Sequence, residues 1–194
     1  MQQPVISDQQ LVELYVNGNE QSLSILIDRH QRKIFSTILF LVKDHEMAED
    51  IFQDTFIKVI NTLKKGNYNE EGKFLPWVLR ISHNLVIDHF RRQQRMPMVH
   101  DKEDYSILDS LRLTDENAED KLTREQIYKE VRLLVEELPF EQKEVIILRH
   151  FADMSFKEIA DTTGVSINTS LGRMRYALIN LRRIIKKKKL VLAV

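Results

Sequence analysis

The chain has 194 residues, 43% hydrophobic and 30% charged, enough to bury one modest core or two small ones. Five Gly and four Pro leave little material for the turns of an all-β protein, and the absence of Cys excludes a disulfide framework and a thiolate metal site. The 29 basic and 29 acidic residues cancel but are segregated: residues 173–189 hold four Arg and four Lys with no acid, while residues 97–120 hold eight acids against Lys102 and Arg112. The N-terminus lacks a basic start followed by an apolar run, and no apolar stretch approaches ~18 residues, so the expectation is a soluble, cytoplasmic protein with no membrane insertion of its own.

The first helix is predicted to open on a capping box formed by Ser7 and Gln10, carry Leu11, Leu14 and Tyr15 at helical spacing, and stop at Gly18. A long helix is expected from Glu20 to Val42, with Leu23, Leu26, Ile27, His30, Ile34, Ile38 and Leu41 near a 3.6-residue period. Asp44 can cap a third, whose Met47, Ile51, Phe56, Val59 and Leu63 face inward and which ends near Gly66. The loop "GNYNEEGK" follows, and a fourth helix is placed from Leu75 or Pro76 to about Arg95, since proline is tolerated in a first turn. Four helices in this span form one bundle over residues 8–95.

Residues 96–122 are acidic and aperiodic and read as a tether, either a plain charged linker or one whose Ile107, Leu108 and Leu111 order against a partner. A second helical unit, residues 123–189, opens on a capping box of Thr123 and Gln126, with Ile127, Val131, Leu134 and Leu138 as its buried stripe and Pro139 ending that helix. "FEQKEVIILRHFADM" supplies the next helix. Ser155 and Glu158 cap a shorter one that stops before Gly164, and Ser166 caps the last, from Ile167 to about Lys186. The fold class is all-α.

In the last helix Leu171, Met174, Leu178, Leu181 and Ile185 recur at three and four and are expected to be buried. The opposite side would carry Thr169, Gly172, Arg173, Tyr176, Asn180 and Arg183, flanked by Asn168 and Arg175. A short helix, a Gly-containing turn and a second helix with that outward face fit a helix-turn-helix entering a DNA major groove. Gly172 is either tolerated at a cost of roughly 1 kcal/mol or lets the backbone approach a base or sugar. The "KKKK" run is either a solvated tail or a phosphate attractor.

On the fourth helix Arg80, Asn84, Asp88, Arg91 and Arg95 share a face beside an apolar stripe of Trp77, Ile81 and Leu85, with Lys73 and Phe74 just ahead. A basic stripe next to aromatics suits a single strand held by stacking and hydrogen bonds; a core Trp77 with surface arginines is the bland alternative. The third helix has the reverse charge, setting Glu46, Glu49, Asp50 and Asp54 against Lys58, and a basic partner would relieve the repulsion. No His completes a metal-ligand set there. None of the six His has a partner at metal-like or catalytic spacing, and no Walker loop, dinucleotide turn or nucleophile elbow is present, so neither a cofactor, a catalytic residue nor a metal is expected.

Taken in order, "AEDIFQDTFIKV", "FLPWVLRISHNLVIDHFRR" and "LPFEQKEVIILRHFADMSFKEIADTTGVSINTSLGRMRYAL" resemble the bacterial RNA polymerase sigma factors of the extracytoplasmic function group. The resemblance implies a sigma-2-type bundle and a sigma-4-type helix-turn-helix domain joined by the acidic linker, which would thread towards the RNA exit path. It implies that Glu49, Asp50, Gln53 and Asp54 dock on the beta-prime coiled coil of core polymerase. It implies that Lys73, Phe74, Trp77, Arg80, Asn84, Asp88, Arg91, Arg92 and Arg95 engage the minus-ten element, with Asn84 at a pocket for a flipped base. It implies that Ser166, Asn168, Thr169, Ser170, Gly172, Arg173, Arg175 and Tyr176 meet the minus-thirty-five element of promoter DNA while the second domain leans on the beta flap. An anti-sigma factor covering the polymerase-binding faces is a further implied partner. The chain departs from the common pattern at two places: many relatives carry Val, then Lys or Arg, then Ser where Ser170, Leu171 and Gly172 stand, and Pro76 replaces a small residue before the Trp. The alternative function is a regulator whose helix-turn-helix binds duplex DNA independently of polymerase.

Overall fold

A computed structural model gives the structure of the chain, and the described residues are 6–69, 72–95 and 131–188. The chain divides into two compact units, Met1–Tyr105 and Ser106–Val194, at a boundary outside the described residues, where the expected tether and the Thr123–Gln126 capping box also lie. Every regular element among the described residues is a helix, and none is long and apolar enough to cross a membrane.

The N-terminal unit holds α1 (Asp8–Val16), α2 (Glu20–Val42), α3 (His45–Lys64) and α4 (Phe74–Arg95). Ser7 caps α1 as a reciprocal box: its Oγ accepts from the Gln10 amide at 3.3 Å and its own amide donates to Gln10 Oε1 at 3.0 Å. Asp8 then ties α1 to α2, its carboxylate accepting from Arg29 and lying 2.7 Å from His30 Nε2. Asp44 caps α3 by accepting from the Met47 amide at 2.9 Å. α2 packs on α1, α3 and α4, so its buried residues run round the helix, from Leu23 and Leu26 to Ile34, Ile38 and Leu41. Buried hydroxyls in this unit turn back on their own helices: Thr37, Thr55 and Ser82 donate to the carbonyls of Lys33, Ile51 and Leu79 at 2.7, 2.7 and 2.9 Å.

α4 begins at Phe74, ahead of the predicted Leu75 or Pro76, and its core-facing stripe is Phe74, Val78, Leu79, Ser82, His83 and Val86. Trp77, Ile81 and Leu85, expected to form the apolar stripe, are half-buried along its flank.

The C-terminal unit holds α5, described over residues 131–136, then α6 (Phe140–His150), α7 (Phe156–Thr163) and α8 (Ile167–Lys188). α6 lies at the centre, buried at six successive positions from Lys143 to Leu148, and packs on α7 and α8. Lys143 is accommodated there because its Nζ donates to Glu136 at 2.9 Å. Ser155 and Glu158 form the predicted capping box of α7. Gly164 ends α7 at φ 68°, a left-handed conformation that side-chain-bearing residues rarely adopt, and this makes the tight turn into α8. Ser166 opens α8 by accepting from the Thr169 amide at 3.1 Å.

The buried side of α8 differs from the expected one. Ser170, Met174 and Ala177 are buried, whereas Leu171 and Leu178 are 45% and 44% exposed and Leu181 and Ile185 are half-buried. Small side chains at Ser170 and Ala177 admit close helix contact, so the packing face lies where the side chains are short and not where they are most apolar.

Candidate nucleic-acid and docking faces

α3 buries Ala48, Ile51, Thr55, Phe56, Val59 and Leu63, and this fixes Glu46, Glu49, Asp50, Gln53 and Asp54 on its exposed side. Within this acidic stripe Glu49 has His45 Nδ1 at 3.4 Å, while Asp50 and Asp54 have no ion pair among the described residues. Ile57 continues the stripe at 55% exposure. An apolar side chain at the end of a carboxylate row is a surface suited to a partner with a basic rim and an apolar spot. Charge patterning pointed to the acids but not to Ile57, which an apolar run would have assigned to the core.

The second face lies on α4. Lys73, Arg80, Asn84, Asp88, Arg91 and Arg92 are exposed, and Asp88 sits 3.8 Å from Arg91. Arg95 closes the helix, with its side chain outside the described residues. Phe74 corrects the expectation for this face: at 1% exposure it is core, and its ring cannot meet a base. What it does is support an aromatic cluster. The Trp77 ring lies 5.9 Å from Phe74 and 4.3 Å from Tyr68, with Tyr68 and Phe74 6.5 Å apart. Trp77 and Tyr68 are half-buried, so each offers part of a ring beside the cationic stripe. Helical spacing does not single out Tyr68; its one signal in the sequence is being an aromatic residue inside the polar loop "GNYNEEGK".

The third face lies on α8. Ser166, Asn168, Thr169, Arg175 and Tyr176 are exposed, and Gly172 and Arg173 are half-buried. Ser170 is another correction: at 0% exposure it is sealed in the helix interface and unavailable to a base edge. Arg173 and Asn180 turn to α6, Arg173 Nη1 lying 3.4 Å from Glu144 Oε2 and Asn180 donating to Gln142 Oε1 at 2.8 Å. An open hollow of about 450 Å³ lies between α6 and α8, lined by Glu141, Gln142, Thr169, Gly172, Arg173 and Tyr176. A Cβ added at Gly172 would meet nothing within 4 Å, so no contact inside the chain requires glycine there. Arg175, Arg182, Arg183, Lys186 and Lys187 are exposed without ion pairs among the described residues, and Lys188 pairs with Glu137. In α5, burial pushes the Arg132 guanidinium below its ordinary value by desolvation, though arginine stays charged.

Among the described residues, no three His, Asp or Glu side chains converge to hold a metal ion. Comparison with known proteins gives one consistent result. Residues 26–96 match the family model for Sigma-70 region 2, and residues 128–171 that for Sigma-70, region 4. The RNA polymerase sigma-H factor of Pseudomonas aeruginosa is 30% identical over 171 residues, covering 86% of this chain and 88% of its own length. The ECF RNA polymerase sigma-E factor of Haemophilus influenzae is 25% identical over 188 residues, covering 94% and 95%. Among solved structures, CnrH in complex with the cytosolic domain of CnrY aligns with a TM-score of 0.63 at 22% identity, covering 93% of this chain and 97% of that one. The sigma factor RpoE in complex with the anti-sigma factor NepR from Bartonella quintana aligns at 0.62 and 18%, covering 86% and 96%.

Proposed function

The chain belongs to the sigma-70 family of RNA polymerase sigma factors, in its extracytoplasmic function group, and from that premise we propose that it binds core polymerase in the cytoplasm, directs it to specific promoters and helps open the minus-ten region. The observation that carries this reading is the pairing, in one bundle, of an exposed acidic stripe on α3 with an exposed cationic and aromatic face on α4. One helix is equipped for a basic protein surface and its neighbour for a polyanion, so a single rigid body can hold the enzyme and the DNA together.

In this reading Glu49, Asp50, Gln53 and Asp54 dock on the beta-prime coiled coil. Lys73, Arg80, Arg91 and Arg92 track the backbone of a single strand, the Tyr68 and Trp77 rings take part of an unstacked base, and Asn84 bonds to a flipped one through its amide. Strand opening is then differential binding: the face stabilises bases that have left the duplex, and the polymerase performs the bond-making, so the chain itself is no enzyme. Residues 8–95 form the sigma-2-like domain, 96–122 the tether and 123–189 the sigma-4-like domain, which leans on the beta flap and lays α8 into the upstream duplex. An anti-sigma factor would cover the α3 face and block docking.

Reconstitution with core polymerase on a library of promoter templates tests the proposal. The expected result is discrete transcription start sites that vanish with Asp50→Lys combined with Asp54→Lys, because like charges set against a basic partner cost several kcal/mol at an interface. Duplex DNA binding by the free chain with no polymerase dependence would move the assignment to a free-standing helix-turn-helix regulator.

A further inference from the structure

The first turns of α8 carry an outward surface that a purely cationic reading helix would not have. Ile167 and Leu171 are 46% and 45% exposed and, four residues apart, stand one above the other. Exposed Asn168 and Arg175 lie beside them on the outward side, and Gly172, next round the helix, adds no side chain. Arg173 is the nearest cation in sequence, but it lies 3.4 Å from Glu144, whose side chain is only 5% exposed, so its charge is answered within the unit.

Two branched apolar side chains in this position need an occupant that also suits their neighbours. Arg175, Arg182, Arg183, Lys186 and Lys187 lack ion pairs among the described residues, and no acid occurs between positions 173 and 189. That field repels a basic protein surface and attracts a polyanion. On the major-groove edge of a base pair the distinctive apolar group is the C5-methyl of thymine. Resting on the assignment of α8 to the upstream duplex, we propose that Leu171, with Ile167 beside it, reads the methyl groups of one or two thymines. The upstream element of this chain then holds T at positions where a cation at the same site would select G.

Replacing thymine by deoxyuridine deletes the methyl and leaves every Watson–Crick group in place. Holoenzyme reconstituted from the full chain first selects its promoters from a pool randomised upstream. Each thymine of the selected element is then replaced by deoxyuridine, and affinity is measured for wild type and Leu171→Ala. The expected result is a loss of about fourfold at one or two adjacent positions for wild type, the scale of one buried carbon group, and no loss at those positions for the variant. Both Leu171→Ala and the conservative Leu171→Ile are checked by circular dichroism, and the isoleucine variant should retain the thymine preference. Selection of an upstream element whose thymines all tolerate deoxyuridine would overturn the methyl reading while leaving α8 as a base reader. Loss of polymerase assembly by Leu171→Ala would overturn it in favour of a protein-docking face. No enrichment upstream at all would sink the duplex-reading role of α8 itself, and this proposal with it.

Discussion

α2 and α8 are both long helices with apolar periodicity, but they are buried by different rules. α2 packs on three helices, and Leu23, Leu26, Ile34, Ile38 and Leu41 are buried as their spacing predicts. α8 packs on α6 and α7, and its buried positions are Ser170, Met174 and Ala177, with Leu171 and Leu178 left half in solvent. α2 buries Ser22, Ser36 and Thr37 beside its apolar stripe and leaves Ile25 45% exposed, so apolar spacing selects most of its buried face; in α8 side-chain volume competes more strongly, because the contact must be close. The apolar side chains displaced in this way remain available for an outside partner.

The sharpest break of this comparison is volume removal in the enclosed helix. Leu26 is fully buried, so Leu26→Ala is expected to lower stability by about 2–5 kcal/mol, read from urea unfolding of the N-terminal unit's signal. Volume addition is the matching probe for α8. Ala177 has no exposed surface, and Ala177→Leu is expected to cost about 1–3 kcal/mol by overpacking the contact with α6 and α7. A neutral Ala177→Leu would mean that the α8 interface is loose and that the small residues there carry no packing role. Asn84→Ala sharpens the functional side. Asn84 is exposed, so folding and polymerase association should be unchanged, while promoter opening, followed by permanganate reactivity of minus-ten thymines, falls by the equivalent of about 1–3 kcal/mol.

Legibility from sequence followed the same division. Local chemistry was readable: the capping boxes at Ser7 and Ser155, the Asp44 cap and the stop at Gly164 depend on a few neighbouring residues, and all stand where spacing put them. The limits Glu20 and Val42 are readable from the 3.6-residue apolar period, without a side-chain cap at Asn19. What pattern could not supply was which helix approaches which, and how closely. Phe74 looked like a loop aromatic free to stack, yet it is the floor of the α4 packing, and Ser170 looked like a polar reader, yet it is the contact itself. Spacing in α8 turns Arg173 and Asn180 outward, because nothing in that helix shows that Glu144 and Gln142 lie opposite them. Exposed charge was legible since solvated carboxylates on α3 and cations on α4 need no tertiary partner to be outside.

The smallest expected effect discriminates best between the two rules. Periodicity alone treats Leu178 as a core residue whose truncation should cost as much as Leu26→Ala. At 44% exposure nearly half of its surface already meets solvent, and helix propensity favours the alanine slightly, so Leu178→Ala is expected to change stability by less than about 1 kcal/mol. Equilibrium unfolding of the full chain, monitored at α8, measures this directly. A cost near that of Leu26→Ala would mean that α8 is covered along its apolar flank in solution, and the surface assigned above to thymine methyls would then be occupied before DNA arrives. A small cost leaves Leu178, Leu171 and Ile167 as one accessible strip, held in place by the short side chains behind it.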